Sequence, residues 1–363
     1  NVVDINDALV INSVILSNST TSSFSFTATA GNITATAVNT ADKALTITAA
    51  SGTVALVNLD TTSGNVDIDA TGTITLTINT AVTTTSGNID INSSAGSIVT
   101  TAGSNNTADL LTTGGTIRLE AATGIKDSGS LGLDIDSATG AVTLVRDGVG
   151  LVNVDYIATG DAVTLAITDT GSGNFEYDSE STGTLTLGAI TLGDGDLTIS
   201  NVATIAVTAV INTTSGTNDD LSITAGGTGN ITLGNVDNIL TTGEGAVILN
   251  ADGDDITTAD SSTAPEILGT GTITLTANII GSSAGNNLGL SGATALVLND
   301  TGAGVIFIDE LAASTIAATT ITVANNSSGT IDINYNGSNV VDINDALVIN
   351  SVILSNSTTS SFS

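Results

Sequence analysis

Residues 1–25 read NVVDINDALVINSVILSNSTTSSFS, and residues 339–363 read the same, letter for letter. Asn1 returns as Asn339, 338 positions later, and no linker marks the junction: TIDINYNGS (330–338) runs straight into NVVDI. Self-similarity at a fixed period is the signature of repeat architectures, in which one unit is completed by its neighbour. The chain therefore reads as one repeat, residues 1–338, followed by the start of an identical one, residues 339–363. It stops inside the second copy and contains no methionine, which predicts a segment of a longer polypeptide.

Working outward from the duplicated stretch, a finer cassette recurs: a glycine, then alternating apolar positions. Examples are GTVAL from Gly52, GNVDI from Gly64, GTITLTI from Gly72, GNIDI from Gly87, GTIRL from Gly115, GDLTI from Gly195, GNITL from Gly229 and GVIFI from Gly304. Each is rich in β-branched residues and has the period of a strand. Alternation puts Val66 and Ile68 on one face and Asp67 on the other. Clusters such as TSG, ATG and SAG separate the cassettes as turns. No long i, i+3, i+4 apolar pattern with capping residues predicts a helix.

Many short strands suit a sandwich, a barrel or a solenoid. The cassettes resemble one another, and the repeat joins its copy without a break. A solenoid demands such continuation, because each coil buries its apolar edge only against the next. The expected fold is all-β: a parallel β-solenoid, drawn as a right-handed β-helix, with roughly 20 to 24 residues per coil and about 4.8 Å of rise.

Composition fits a thin aliphatic core. Aliphatic residues are plentiful, whereas aromatic residues make up 2% of the chain. Forty glycines and one proline (Pro265) lack the strict three-residue period of collagen. Without cysteine or histidine, no disulfide and no thiolate or imidazole metal site can form. No apolar run is long enough to span a membrane as a helix, so this segment is not expected to insert. Four cations face 36 acids, for a net charge of −32. Such a surface repels nucleic acid, whose binding needs clustered Lys and Arg.

Stretches such as GTITLTINTAVTTTSGNIDINSSAGSIVTTAG (72–103) and GTGTITLTANIIGSSAGNNLGLSG (269–292) resemble the repeats of filamentous-haemagglutinin-type large bacterial exoproteins. That resemblance implies a long right-handed β-helix at the cell surface or outside the cell, commonly serving as an adhesin.

The expected role is a structural component of a long extracellular fibre, supplying length, stiffness and resistance. Its partner is itself, end to end or as adjacent repeats, with cell-surface or matrix glycans as further partners. One alternative is the stalk or binding region of an adhesin. A remote alternative is a carbohydrate-active β-helix enzyme, for which Glu176, Asp178 and Glu180 beside Phe175 and Tyr177 (FEYDSE) form the best patch. With no histidine and two arginines, catalysis is not expected. The densest acidic turn, Asp252, Asp254 and Asp255 around Gly253, presents hard oxygen ligands at alternate positions and is the candidate Ca²⁺ site, set against an ordinary solvated turn. Asp194 with Asp196, and Asp219 with Asp220, are weaker candidates. No other cofactor is expected. Outward Asp4, Asp67, Asp90 and Asp332 hold equivalent places in their cassettes and are expected to be staggered, or bridged by Ca²⁺, to escape mutual repulsion.

Overall fold

A computed structural model describes residues 2–15, 23–77, 80–101, 107–128, 132–138, 140–213, 219–234, 240–242, 245–251, 253–259, 265–269, 271–281, 287–302, 304–310, 319–325, 330–335, 347–354 and 361–362. Among these residues the regular structure is all strand, and the pairings between strands are parallel. Contacts divide the chain into two compact units, Asn1–Gly183 and Thr184–Ser363, and each is a parallel β-solenoid.

In the first unit a typical coil has one five-residue strand and two three-residue strands, as in Leu45–Ala49, Val54–Leu56 and Leu59–Thr61. The five-residue strands stack in register: Leu45 opposite Val66, Val66 opposite Ile89, Ile89 opposite Ile117, Ile117 opposite Val142 and Val142 opposite Leu165. These offsets range from 21 residues (45 to 66) to 28 (89 to 117), so coils exceed the expected length where loops lengthen. A second inward ladder runs through Ile47, Ile68, Ile91, Leu119, Leu144 and Ile167, all buried. Burying each such side chain contributes roughly 1.5–3 kcal/mol, so a stack of thin coils builds a core without large aromatic rings.

The second unit has the same plan. Leu197–Asn201, Leu221–Ala225, Val247–Ala251 and Thr272–Ala277 stack as longer strands, with Leu197, Leu221, Val247 and Ile273 in one ladder. Pairs of shorter strands, such as Ile205–Val207 with Ile211–Thr213, complete the coils.

Glycine opens each cassette because two coils approach closely there. A Cβ on Gly87 would lie 2.1 Å from the Gly64 carbonyl oxygen, and one on Gly115 would lie 1.9 Å from that of Gly87. Buried hydroxyls complete this corner. Thr61, Thr84, Thr112 and Ser137 are register partners down one inward ladder. Thr112 Oγ1 donates to the Gly87 carbonyl (2.9 Å) and Ser137 Oγ to that of Gly115 (2.9 Å). The Gly87 and Gly115 amides each donate back to a threonine Oγ1 at 3.0 Å. The recurrent T-x-x-G of Thr61–Gly64, Thr84–Gly87 and Thr112–Gly115 is thus a hydroxyl ladder that satisfies turn backbone inside the coil stack.

Asparagine or aspartate at the start of the cassette serves the opposite face. Asn65 Oδ1 accepts from the Asn88 amide and Asn88 Oδ1 from the Thr116 amide, both at 3.0 Å. In the second unit Asp196 accepts from the Asp220 amide (3.1 Å) and Asp220 from the Ala246 amide (2.7 Å). Each side chain ties its coil to the next.

Candidate functional site

Of the four outward acids, Asp67 and Asp90 are not staggered. Asp67 and Asp90 are register partners on adjacent strands, and the next coil places Arg118 opposite Asp90. Arg118 Nη1 meets Asp90 Oδ1 at 3.0 Å, and Nη2 pairs with Glu120. Partial burial raises the Asp67 carboxyl above its usual range, and the Asp69 and Asp90 charges add to the shift. The expected stagger fails because the five-residue strands are locked in register by their inward ladders. The arrangement relieves repulsion with one arginine instead. Asp4 faces Thr27 rather than another acid, and Asp332 pairs in register with Phe307.

At the acidic turn, Asp252 lies outside the described residues. Gly253 has φ of 93°, and the Asp254 amide donates to the Ala251 carbonyl at 3.0 Å, closing a tight turn. Asp255 Oδ1 accepts from Asn278 Nδ2 (3.3 Å), while burial, with the Asp254 charge also contributing, raises the Asp255 carboxyl. Among the described residues no group of three potential ligands is arranged to hold a metal ion. The Asp219/Asp220 pair splits between the two faces. Asp219 is buried and accepts from the Gly195 amide (3.0 Å), whereas Asp220 is exposed and ties down the following coil.

The FEYDSE strand, Phe175–Ser179, separates its rings from its acids. Phe175 and Tyr177 point inward and are buried, whereas Asp178 and Glu180 are exposed and Glu176 is half-buried. Glu176 accepts from Asn153 Nδ2 of the neighbouring coil at 2.8 Å. Period-two alternation therefore denies the acids the aromatic platform that a sugar site would use.

Charged groups that the sequence pattern does not single out are found inside. Arg146 is fully buried in the inward ladder that holds Ala49, Ala70, Ser93 and Ala121 in preceding coils, and Asp169 follows it. Arg146 Nε donates to Asp169 Oδ1 (2.9 Å) and Nη2 to Oδ2 (2.5 Å). Its remaining donors reach the Gly150 and Gly173 carbonyls, and its guanidinium carbon lies 5.1 Å from the Phe175 ring centroid. Arg146, Tyr156, Phe175 and Tyr177 are the largest fully buried side chains, all within one short stretch of chain. Tyr156 Oη donates to the Ser137 carbonyl (2.5 Å), and burial pushes both phenols well above their usual range.

Buried carboxylates form a second such feature. Asp109 accepts from Thr100 Oγ1 (3.0 Å) and from the Asp134 amide (3.3 Å), with the buried carboxylates of Asp127 and Asp134 nearby. Burial pushes the Asp109 carboxyl up to about 7; the Thr100 hydrogen bond opposes this and the Asp134 charge adds to it. The second unit repeats the device. Glu266 is buried and accepts from Thr258 Oγ1 (3.0 Å) and from the Gly289 amide (2.6 Å). In both places a carboxylate just ahead of a short strand takes a hydroxyl from its own coil and an amide from the next. These groups hold coils together.

No helix among the described residues is long and apolar enough to cross a membrane. No family model, no curated protein and no solved structure matches the chain.

Proposed function

We propose that this chain is a repeat of a long extracellular fibre whose function is mechanical: length, stiffness and chemical resistance. The observation that carries the reading is the unbroken return of residues 1–25 as 339–363 in a chain whose two units are both stacked parallel coils. A coil stack gains by repetition, since every added coil covers an apolar edge and pairs a row of amides. The buried polar groups act within the stack, and the outward acids give a surface of one sign that resists lateral clumping. The absence of cysteine and methionine removes the side chains most readily oxidised, in keeping with service outside the cell. On this reading the main partner is the protein itself.

The stalk of a surface adhesin is the second reading, supported by the likeness of residues 72–103 and 269–292 to haemagglutinin-type exoprotein repeats. On that reading glycan-binding groups lie elsewhere in the assembly. Ca²⁺ at Asp252, Asp254 and Asp255 would brace a turn in either case, and calorimetric titration with Ca²⁺ tests it directly.

Imaging the natively isolated protein tests the fibre. Unbranched filaments support it, and discrete particles of single-chain mass overturn it.

A further inference from the structure

The same polar corner is built twice, once beside a neutral residue of the next coil and once beside an acidic one. In the second unit Glu266 accepts from the Thr258 hydroxyl of its own coil and from the Gly289 amide of the next. The Glu266 amide in turn donates to the Gly289 carbonyl at 3.0 Å. In the first unit Asp109 accepts from the Thr100 hydroxyl and from the Asp134 amide, and its own amide donates to the Asp134 carbonyl at 2.7 Å. The two corners match bond for bond. They part at the residue supplied by the next coil, which is glycine at 289 and aspartate at 134.

The first unit carries the difference further. Asp127 is the register partner of Thr100, so the coil after Asp109 has a carboxyl in both seats: Asp127 next to Thr100 and Asp134 next to Asp109. Asp109, Asp127 and Asp134 are 1%, 3% and 1% exposed. In the Asp109 coil a hydroxyl supplies the proton that the carboxylate accepts. One coil on, the seat of that hydroxyl is held by a group that donates only when protonated. The other charges around the corner do not offset the three acids. Asp155, half-buried, is the register partner of Asp134 and has the same sign; Asp136 stands outward opposite Leu111. Lys126 projects outward between Ile125 and Asp127. On the preceding coil Ala81 comes just before Val82, the partner of Leu110, and brings no charge. Buried carboxyls grouped in this way do not all ionise without moving apart.

We propose that Asp109, Asp127 and Asp134 form a proton-operated latch between two successive coils of the first unit. With a proton held among the three, Asp109 fastens Leu110–Thr112 to Leu133–Ser137. When that proton leaves, like charges part these two strands locally while the rest of the stack stays paired. Burial pushes the Asp109 carboxyl up to about 7; the Thr100 hydrogen bond works against this, and the Asp134 and Asp127 charges add to it. The closed corner therefore binds a proton that the open one gives up, so it is favoured in acid and released as pH rises through that value. The first unit thereby loosens at one defined place. The Glu266 corner, with glycine at the matching position, is the reference built into the same chain.

Hydrogen exchange of the full chain, followed by mass spectrometry and corrected for the intrinsic pH dependence of amide exchange, tests the latch. Amides of Leu110–Thr112 and Leu133–Ser137 are expected to lose protection by about tenfold per pH unit above about pH 7, the slope for one proton released per opening. Ile267–Leu268 and Leu288–Ser291, at the Glu266 corner, are expected to keep theirs over the same range. Protection at the Asp109 corner that does not change with pH, or that falls equally at both corners, would overturn the proposal. The double variant Asp127→Thr/Asp134→Asn leaves Asp109 with hydroxyl and amide donors alone, as Glu266 is placed. It is expected to bring the pH slope at Leu110–Thr112 down to that of Ile267–Leu268; an unchanged slope would show that the three acids do not act together. The comparison of the two corners in the natural sequence decides the matter even where the variant does not fold.

Discussion

Arg146 and Asp169 occupy the same inward ladder one coil apart, and the guanidinium donates to both carboxylate oxygens at 2.9 and 2.5 Å. The pair sits where preceding coils carry alanine or serine, so two charges replace small side chains inside the first unit. A buried pair of this kind is stable only because its other donors and acceptors are met, here by the Gly150 and Gly173 carbonyls and the Gly171 amide.

Removing one partner strands the other charge. Arg146→Met or Asp169→Leu alone is expected to cost the first unit about 3–5 kcal/mol. The double variant is expected to lose less than the sum of the two. A double-mutant cycle by chemical denaturation measures this; strict additivity would show that the charges do not act as a pair.

Asp109 makes the first unit sensitive to pH. Its folded pKa is about 7, above the value near 3.9 of an unfolded aspartate. The folded state therefore binds more protons than the unfolded state across that window. The contribution is complete below about pH 4 and is lost as pH rises through about 7. Asp109→Asn keeps an acceptor for Thr100 and carries no charge. It is expected to flatten the fall in stability between about pH 4 and 7. An unchanged pH profile of thermal unfolding would count against the assignment.

The glycine corners predict a sharp contrast between neighbours. A Cβ on Gly87 would sit 2.1 Å from a backbone oxygen, whereas one on Gly114 finds its nearest atom at 3.4 Å. Gly87→Ala is expected to cost about 1–3 kcal/mol or more, as overpacking does. Gly114→Ala is expected to change stability by less than about 0.5 kcal/mol. Equal effects in urea titration would refute stacking of the glycine carbonyls.

On the outer face, Asp67 stacks on Asp90, and of the two Arg118 pairs with Asp90. Asp67→Asn is expected to stabilise the first unit by a few tenths to about 1 kcal/mol in dilute buffer. The gain should shrink in 1 M salt, where screening acts within about 3 Å. A gain independent of salt would point to something other than charge.

Much of this architecture was legible in the sequence. The cassettes predicted strands, and the alternation of Val66, Asp67 and Ile68 predicted their faces, because β-branched period-two runs admit few other readings. Thr61, Thr84 and Thr112 were not legible as buried, since threonine suits either face of a strand. Their signal is the fixed T-x-x-G spacing. Arg146, Asp109 and Glu266 escaped because charge usually marks the solvent face, and their partners lie in other coils or across loops. Coil pairing escaped too, as offsets running from 21 to 28 residues leave no constant period to read. The acids and rings of FEYDSE looked like a patch in the linear sequence, and alternation puts them on opposite faces.

Fibre diffraction from oriented native filaments tests the central claim most directly. Coils stacked along the fibre place the strand spacing of about 4.7–4.8 Å on the meridian, with strands lying across the axis. A strong meridional arc at that spacing is the predicted result. The same spacing on the equator, or no reflection there at all, would contradict a fibre built by stacking these coils end on end.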